Sequence, residues 1–232
     1  MHIHRPSQER GHLNFGWLDT YHSFSFGDYH DPQWVHFRSL RVINEDYIEP
    51  NQGFPTHSHQ DMEIITYVLE GELSHKDSMG NGSKIPAGEF QYMSAGTGVT
   101  HSEYSHPKSK THLLQIWIFP DQKDYTPRYQ QCQIDSAEKL NQLCQVIGPD
   151  GSGKPIEIHQ DTKLFNSVLE EGKNLTYPIQ KDRHLWLQLI RGELACGETQ
   201  LKAGDGLGLS EEEKLEVKSL KGEAEFLLFD LS

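Results

Sequence analysis

The sequence predicts an all-β protein made of two tandem β-barrels, and three observations carry that expectation. Short runs of apolar and β-branched residues alternate with turn clusters along most of the chain. No long segment shows a helical period. A stretch of the first half is echoed in the second, as two copies of one fold require. A chain of 232 residues divides into two units of roughly 110 residues, each large enough for its own core.

The elements follow in chain order. Residues 40–43, 63–69, 89–93 and 112–119 read as strands. Between them lie turn clusters: Asn51-Gln52-Gly53, Gly80-Asn81-Gly82, Pro86-Ala87-Gly88 and Gly96-Thr97-Gly98. Many short strands joined by Gly-rich turns point to a sandwich or barrel. Residues 121–155 change character: 135–146 is predicted as a short helix, and the Gly/Pro cluster at 148–153 as a linker. The strand pattern resumes at Ile156 and continues to Phe229. The echo aligns residues 64–73 with 185–194, each run closing on a Gly-Glu-Leu (Gly71 and Gly192), and Pro86-Ala87-Gly88-Glu89 with Lys202-Ala203-Gly204-Asp205. The expected domains are residues 1–130 and 131–232, the second opening with the short helical linker.

Composition excludes several classes. Net charge is −13, with 21 basic and 34 acidic side chains and no Lys/Arg cluster, which argues against direct nucleic-acid binding. The longest apolar runs, 113–119 and 64–69, are far too short to span a membrane. Met1-His2-Ile3-His4-Arg5-Pro6 does not read as a signal peptide. Cys132, Cys144 and Cys196 form neither a disulfide framework nor a CxxC pair. The expected setting is therefore a reducing cytoplasm, and the expected state a monomer.

Histidine placement is more informative. Of 14 histidines, only His159 and His184 lie beyond residue 120. His57-Ser58-His59 places two imidazoles at i and i+2, on one face of a strand. His101-Ser102-Glu103 does the same with an imidazole and a carboxylate. On facing strands the two pairs would offer three nitrogens and one anionic oxygen, a set suited to Fe(II), Mn, Ni, Cu(II) or Zn and too rich in nitrogen for Ca or Mg.

Longer motifs surround these pairs. Residues 53–71 (GFPTHSHQDMEIITYVLEG) resemble the first cupin motif, and Gly80 to Gly88 keeps the G-x5-P-x-G of the second. Residues 16–26 (GWLDTYHSFSF), then Tyr29-His30-Asp31-Pro32, and residues 93–103 (MSAGTGVTHSE) resemble the pirin family. Pirins are bicupins, two tandem jelly-roll barrels of which the first holds the metal and the second is degenerate. The chain departs from the general cupin pattern twice: Ile64 stands where the motif has Glu, and Gln91 where it has His. Pirins share both departures and take their remaining ligands from the later His-x-Glu.

The resemblance implies one divalent transition metal held by His57, His59, His101 and Glu103, with Fe(II) favoured and Ni, Mn, Cu, Zn or Co as other occupants. It implies an activity as well. Short bacterial pirins are described as quercetin 2,3-dioxygenases, so a flavonol and dioxygen are the expected substrates and Glu103 the expected general base. The alternative it implies is a metal-dependent, redox-sensing regulator with a protein partner. Glu63 could replace Glu103 as ligand but is expected rather as a hydrogen-bond partner of a ligating histidine, and Gln91 as a neighbour of the site. Phe24, Phe26, Phe90, Tyr92 and Trp117 are candidate walls of an apolar pocket, although core packing is the commoner fate of such residues. His22, His30, His36, His75, His106 and His112 are expected in structural or surface roles.

Overall fold

The computed structural model describes all 232 residues. The first twelve strands are β1 (His2–Arg5), β2 (Gly11–Asn14), β3 (Leu18–His22), β4 (Leu40–Ile48), β5 (Gly53–His59), β6 (Glu63–Glu70), β7 (Glu72–Asp77), β8 (Gly82–Pro86), β9 (Glu89–Ser94), β10 (Val99–Ser105), β11 (Thr111–Ile118) and β12 (Arg128–Gln133). A one-turn helix, α1 (Ser136–Lys139), follows. The remaining strands are β13 (Cys144–Pro149), β14 (Ile156–Ile158), β15 (Thr162–Leu169), β16 (Asn174–Pro178), β17 (His184–Cys196), β18 (Thr199–Lys202), β19 (Gly206–Ser210) and β20 (Lys214–Leu231). The chain is a pair of cupin barrels, and no helix is long and apolar enough to cross a membrane.

One compact unit comprises Gly11–Gln133 with Ile158–Gln160. It has a seven-stranded sheet in the order β12-β9-β6-β11-β4-β3-β2 and a four-stranded sheet in the order β5-β10-β7-β8. Both sheets feed one apolar cluster: Leu18, Ile48, Val68 and Leu113 come from the first, Leu73 and Ile85 from the second. Inside-outside alternation is clean on β10, where Val99, His101, Glu103 and Ser105 are buried and the residues between them face outward.

The other unit comprises Met1–Arg10, Ile134–Glu157 and Asp161–Ser232. Its single nine-stranded sheet runs β1-β19-β17-β20-β15-β13-β14, with β16 and β18 added on β20 and β17. The N-terminal strand thus belongs to this unit, paired antiparallel with β19 from His2↔Leu209 to Arg5↔Gly206. Register shifts between Leu189 and Leu194 let the long β17 bend along β20.

The echo between the halves is repeated in backbone geometry. Gly71 and Gly192 have φ of +81° and +82°, and a Cβ at either would meet a carbonyl oxygen of the adjacent chain (Lys110 at 2.3 Å, Glu223 at 2.4 Å). Only glycine suits both demands. The next turn also repeats, because the Gly88 amide donates to the Val68 carbonyl and that of Gly204 to Leu189, each at 2.8 Å.

Two sequence expectations are corrected. The helix predicted over 135–146 is limited to Ser136–Lys139, although its start has the capping box, with Asp135 and Glu138 satisfying each other's backbone amides. Asn141 adopts a left-handed φ of +56°, and the chain then enters β13, paired with β15. The Gly/Pro cluster at 148–153 is not a linker between domains; it turns the chain between β13 and β14 inside one unit.

Candidate metal centre

Strands β5 and β10 pair antiparallel with His57 opposite His101 and His59 opposite Val99. The register slips next to this rung: from His57 to Phe54 β5 advances three residues while β10 advances two, from His101 to Glu103. The extra residue falls at Pro55-Thr56, where a proline costs no ladder hydrogen bond. The bulge reverses parity, so Phe54 packs on the barrel core even though His57 and His59, an odd number of residues away, face inward too.

The three imidazoles converge. Ring centroids lie 4.8 Å apart for His57–His59, 4.4 Å for His57–His101 and 4.9 Å for His59–His101. One ring nitrogen of each lies within 4.8 Å of the others. His57 Nδ1–H donates to the Pro55 carbonyl at 2.8 Å, which leaves Nε2 with its lone pair free. His101 is 2% exposed, and neither of its ring nitrogens has a hydrogen-bond partner. Two buried polar atoms left unpartnered are costly in a folded core. A cation beside His101 would satisfy one of them, so the donor set fits a metal ion. Burial and the neighbouring imidazoles push His101 down to about 3 and His59 down to about 4, and both rings are neutral at pH 7.

Glu103 is 3% exposed, and its carboxylate lies within 4.8 Å of ligand atoms of His101 and His75. Gln115 Nε2 donates to Glu103 Oε2 at 3.2 Å, and the Thr66 hydroxyl in turn donates to Gln115 Oε1 at 3.1 Å. Burial pushes Glu103 up to about 7, against the opposing effect of Gln115, with Asp46 adding to the rise.

His75 stands directly opposite Glu103 on β7 and is 3% exposed. His75, His101 and Glu103 form a second possible ligand group, but both nitrogens of His75 are engaged. Nε2 lies 3.2 Å from Asp77 Oδ2, and Nδ1 lies 3.0 Å from Gln91 Nε2. With the amide donating to Nδ1 and Nε2–H donating to Asp77, no lone pair of His75 is free. His75 therefore props the site, and Gln91 hydrogen-bonds beside it as expected.

Glu63 does not act as expected. It is fully buried and accepts hydrogen bonds from the Tyr92 hydroxyl, from Ser94 Oγ at 2.7 Å and from the His159 amide at 3.0 Å, so none of its partners is a candidate ligand. Phe24, Phe90 and Tyr92 are core residues. Phe26 and Trp117 do line a cavity of about 440 Å³ beside the histidines, together with Phe54, Asn44, Asp46, Gln115 and Glu103. Trp117 meets the His59 ring edge-on at 5.0 Å. Gln115 and the pair Asn44 and Asp46 were missed in the sequence; the available signal was a few polar residues inside otherwise apolar strands.

Comparison with known proteins agrees with this architecture. The pirin family model matches residues 4–118, and the model of the quercetinase C-terminal cupin domain matches residues 145–231. The chain is 45% identical over 228 residues to the quercetin 2,3-dioxygenase of Escherichia coli strain K12, covering 98% of this chain and 97% of that one. It is 36% identical to a pirin-like protein of Caulobacter vibrioides, with 97% of each chain covered. The crystal structure of the Escherichia coli bacterial pirin YhhW in complex with nickel(II) superposes with a TM-score of 0.94 at 43% identity, covering 100% of this chain and 99% of that one. With two cupin barrels, convergent histidines in the first of them and full-length likeness to these proteins, the chain belongs to the pirin family.

Proposed function

We propose that the protein is a metal-dependent dioxygenase that cleaves flavonols such as quercetin with dioxygen, and that His57, His59, His101 and Glu103 hold its single divalent transition metal. The observation that carries this reading is His101, buried with both nitrogens unpartnered where two further imidazoles and a carboxyl group face an apolar cavity. The names of the Escherichia coli relatives supply the substrate class and nickel(II) as one competent ion; Fe(II) is favoured here for its reactivity toward dioxygen. When bound, the ion supplies Lewis-acid and redox chemistry toward the flavonol and dioxygen.

The chain's own residues do the rest. Phe26, Phe54 and Trp117 form apolar walls against a planar guest and exclude water. Gln115, held by Thr66, fixes the Glu103 carboxylate. Glu103 accepts the proton of the flavonol 3-hydroxyl, an assignment consistent with its position in the cavity. The central ring then opens at two carbon–carbon bonds, both dioxygen atoms enter the product, and one ring carbon leaves as carbon monoxide, giving a phenolic ester.

The test is dioxygen uptake on adding quercetin to protein reconstituted anaerobically with Fe(II) and, separately, with Ni(II), alongside metal content by mass spectrometry. Uptake in proportion to bound metal is expected. A fully loaded protein that consumes no dioxygen with any flavonol would replace this reading with the metal-dependent regulatory one.

A further inference from the structure

The cavity beside the histidines does not end at Phe26 and Phe54. A second cavity of about 300 Å³ shares Phe26, Asn44, Asp46 and Phe54 with the first and continues to Phe15, Trp17 and His22. The first, at about 440 Å³, lies near the lower end of the ~300–1,000 Å³ typical of ligand pockets. The character of the second cavity is aromatic. Trp17 packs edge-on against Phe54 at 5.2 Å, and Phe15, 54% exposed, stands in the same wall.

The waist between the cavities is polar. Asp46 is 3% exposed and lines both; the Thr20 side chain on β3 stands opposite it and interacts with its carboxyl group, yet Asp46 Oδ1 makes no hydrogen bond of ordinary length. Asn44 beside it is already committed, its Oδ1 lying 2.7 Å from His22 Nδ1. A buried carboxyl oxygen that no protein donor reaches at full hydrogen-bond distance, placed where two apolar chambers meet, is suited to receive a hydroxyl from whatever crosses the waist.

We propose that the two cavities are one binding site in two chambers, that its ligand consists of two linked aromatic ring systems, and that Asp46 accepts a hydrogen bond from a hydroxyl of that ligand. This rests on the flavonol reading and deepens it. The fused bicyclic half occupies the chamber of His57, His59 and Glu103, and the pendant aryl ring lies against Phe15 and Trp17. A one-chamber site would accept the bicyclic half alone equally well; a two-chamber site will not.

The experiment compares a flavonol with 3-hydroxychromone, which keeps the bicyclic half and lacks the pendant ring. Dissociation constants are measured anaerobically on the metal-loaded protein by quenching of tryptophan fluorescence. Wild type is expected to hold the flavonol at least about tenfold more tightly than the chromone. Phe15→Ala should weaken the flavonol by about 2- to 10-fold, the usual range for one aromatic contact, and leave the chromone within twofold. Asp46→Asn should weaken the flavonol at unchanged metal content. Equal affinity for both ligands, or equal losses for both in Phe15→Ala, would overturn the two-chamber site while leaving the flavonol reading intact. Failure of wild type to bind either ligand would end both.

Discussion

The two barrels set the same backbone frame around opposite interiors. The echo matches Thr66 with Leu187, His75 with Cys196 and Gln91 with Leu207. Strand pairing extends the match: Thr66 pairs with Gln115 as Leu187 pairs with Leu228. Likewise β5 on β10 corresponds to β16 on β20, which sets His57 and His101 against Tyr177 and Leu215, and Phe54 and Glu103 against Leu175 and Val217. Every second-barrel position in this set lies in or against one apolar cluster. The bulge differs as well, since β16 and β20 pair residue for residue where β5 carries an extra one. The cupin frame therefore does not dictate a metal centre. Side-chain choice on β5, β6, β7, β9, β10 and β11, plus one inserted residue, turns an apolar core into a cavity edged by histidines and carboxyl groups.

The sharpest break of that comparison is to remove the imidazoles. His57→Ala combined with His59→Ala should reduce bound metal from one equivalent to almost none, read by mass spectrometry, while the far-ultraviolet circular dichroism stays that of a β protein. A full equivalent in the double variant would show that the ligands lie elsewhere. Next in size is Glu103→Gln. Three histidines suffice to hold a divalent ion, but losing a positioned base costs about 10²–10⁴ in rate. Most of the metal should remain and most of the dioxygen uptake should vanish; equal turnover per bound metal would exclude Glu103 as the base.

What could be read from the sequence follows the same divide. The convergence of His57, His59 and His101, and the inward placement of Glu103 beside His101, were legible because i, i+2 spacing fixes a shared strand face whatever the partner strand is. Phe54 was not, because the bulge at Pro55-Thr56 reverses its parity and depends on β10. His75, Gln115 and Asp46 are lone polar residues whose importance arises from cross-strand neighbours far away in sequence. Glu63 misled for the converse reason: adjacency to the motif suggested a role at the histidines, while its carboxylate is satisfied by Tyr92, Ser94 and the His159 amide. The short helix was seen and overextended, because nothing local announced that Asn141 would take a left-handed conformation.

A matched pair of truncations sharpens the contrast energetically. Leu228 is fully buried in the apolar barrel, and Leu228→Ala should cost about 2–5 kcal/mol. Gln115, its counterpart, contributes hydrogen bonds to Thr66 and Glu103, so Gln115→Ala should cost about 1–3 kcal/mol, the penalty for stranding a buried polar partner. Urea denaturation of the metal-loaded variants measures both. The order should reverse in function, with Gln115→Ala losing dioxygen uptake per bound metal and Leu228→Ala keeping it. A larger stability loss in Gln115→Ala would mean that the first barrel depends on its polar interior for folding.

The smallest expected effect is the proton balance of metal loading. A ligand must shed its proton to coordinate. His59 and His101, lowered to about 4 and 3, are already neutral at pH 7 and release almost nothing there. Glu103, raised by burial to about 7, holds its proton in the metal-free protein as pH falls below neutrality and must give it up to the ion. The sign follows: affinity should climb by up to about tenfold per pH unit below 7, where that proton must be displaced, and flatten above 8. Asp46, also raised by burial to about 7, faces the same cavity, so a second and weaker release should accompany the first. Calorimetric titration of metal-free protein with Ni(II) in buffers of different ionisation enthalpy counts the protons. Wild type should release more near pH 6 than at pH 8, and Glu103→Gln should lose the larger share of that difference. An unchanged release in Glu103→Gln would locate the proton on another group.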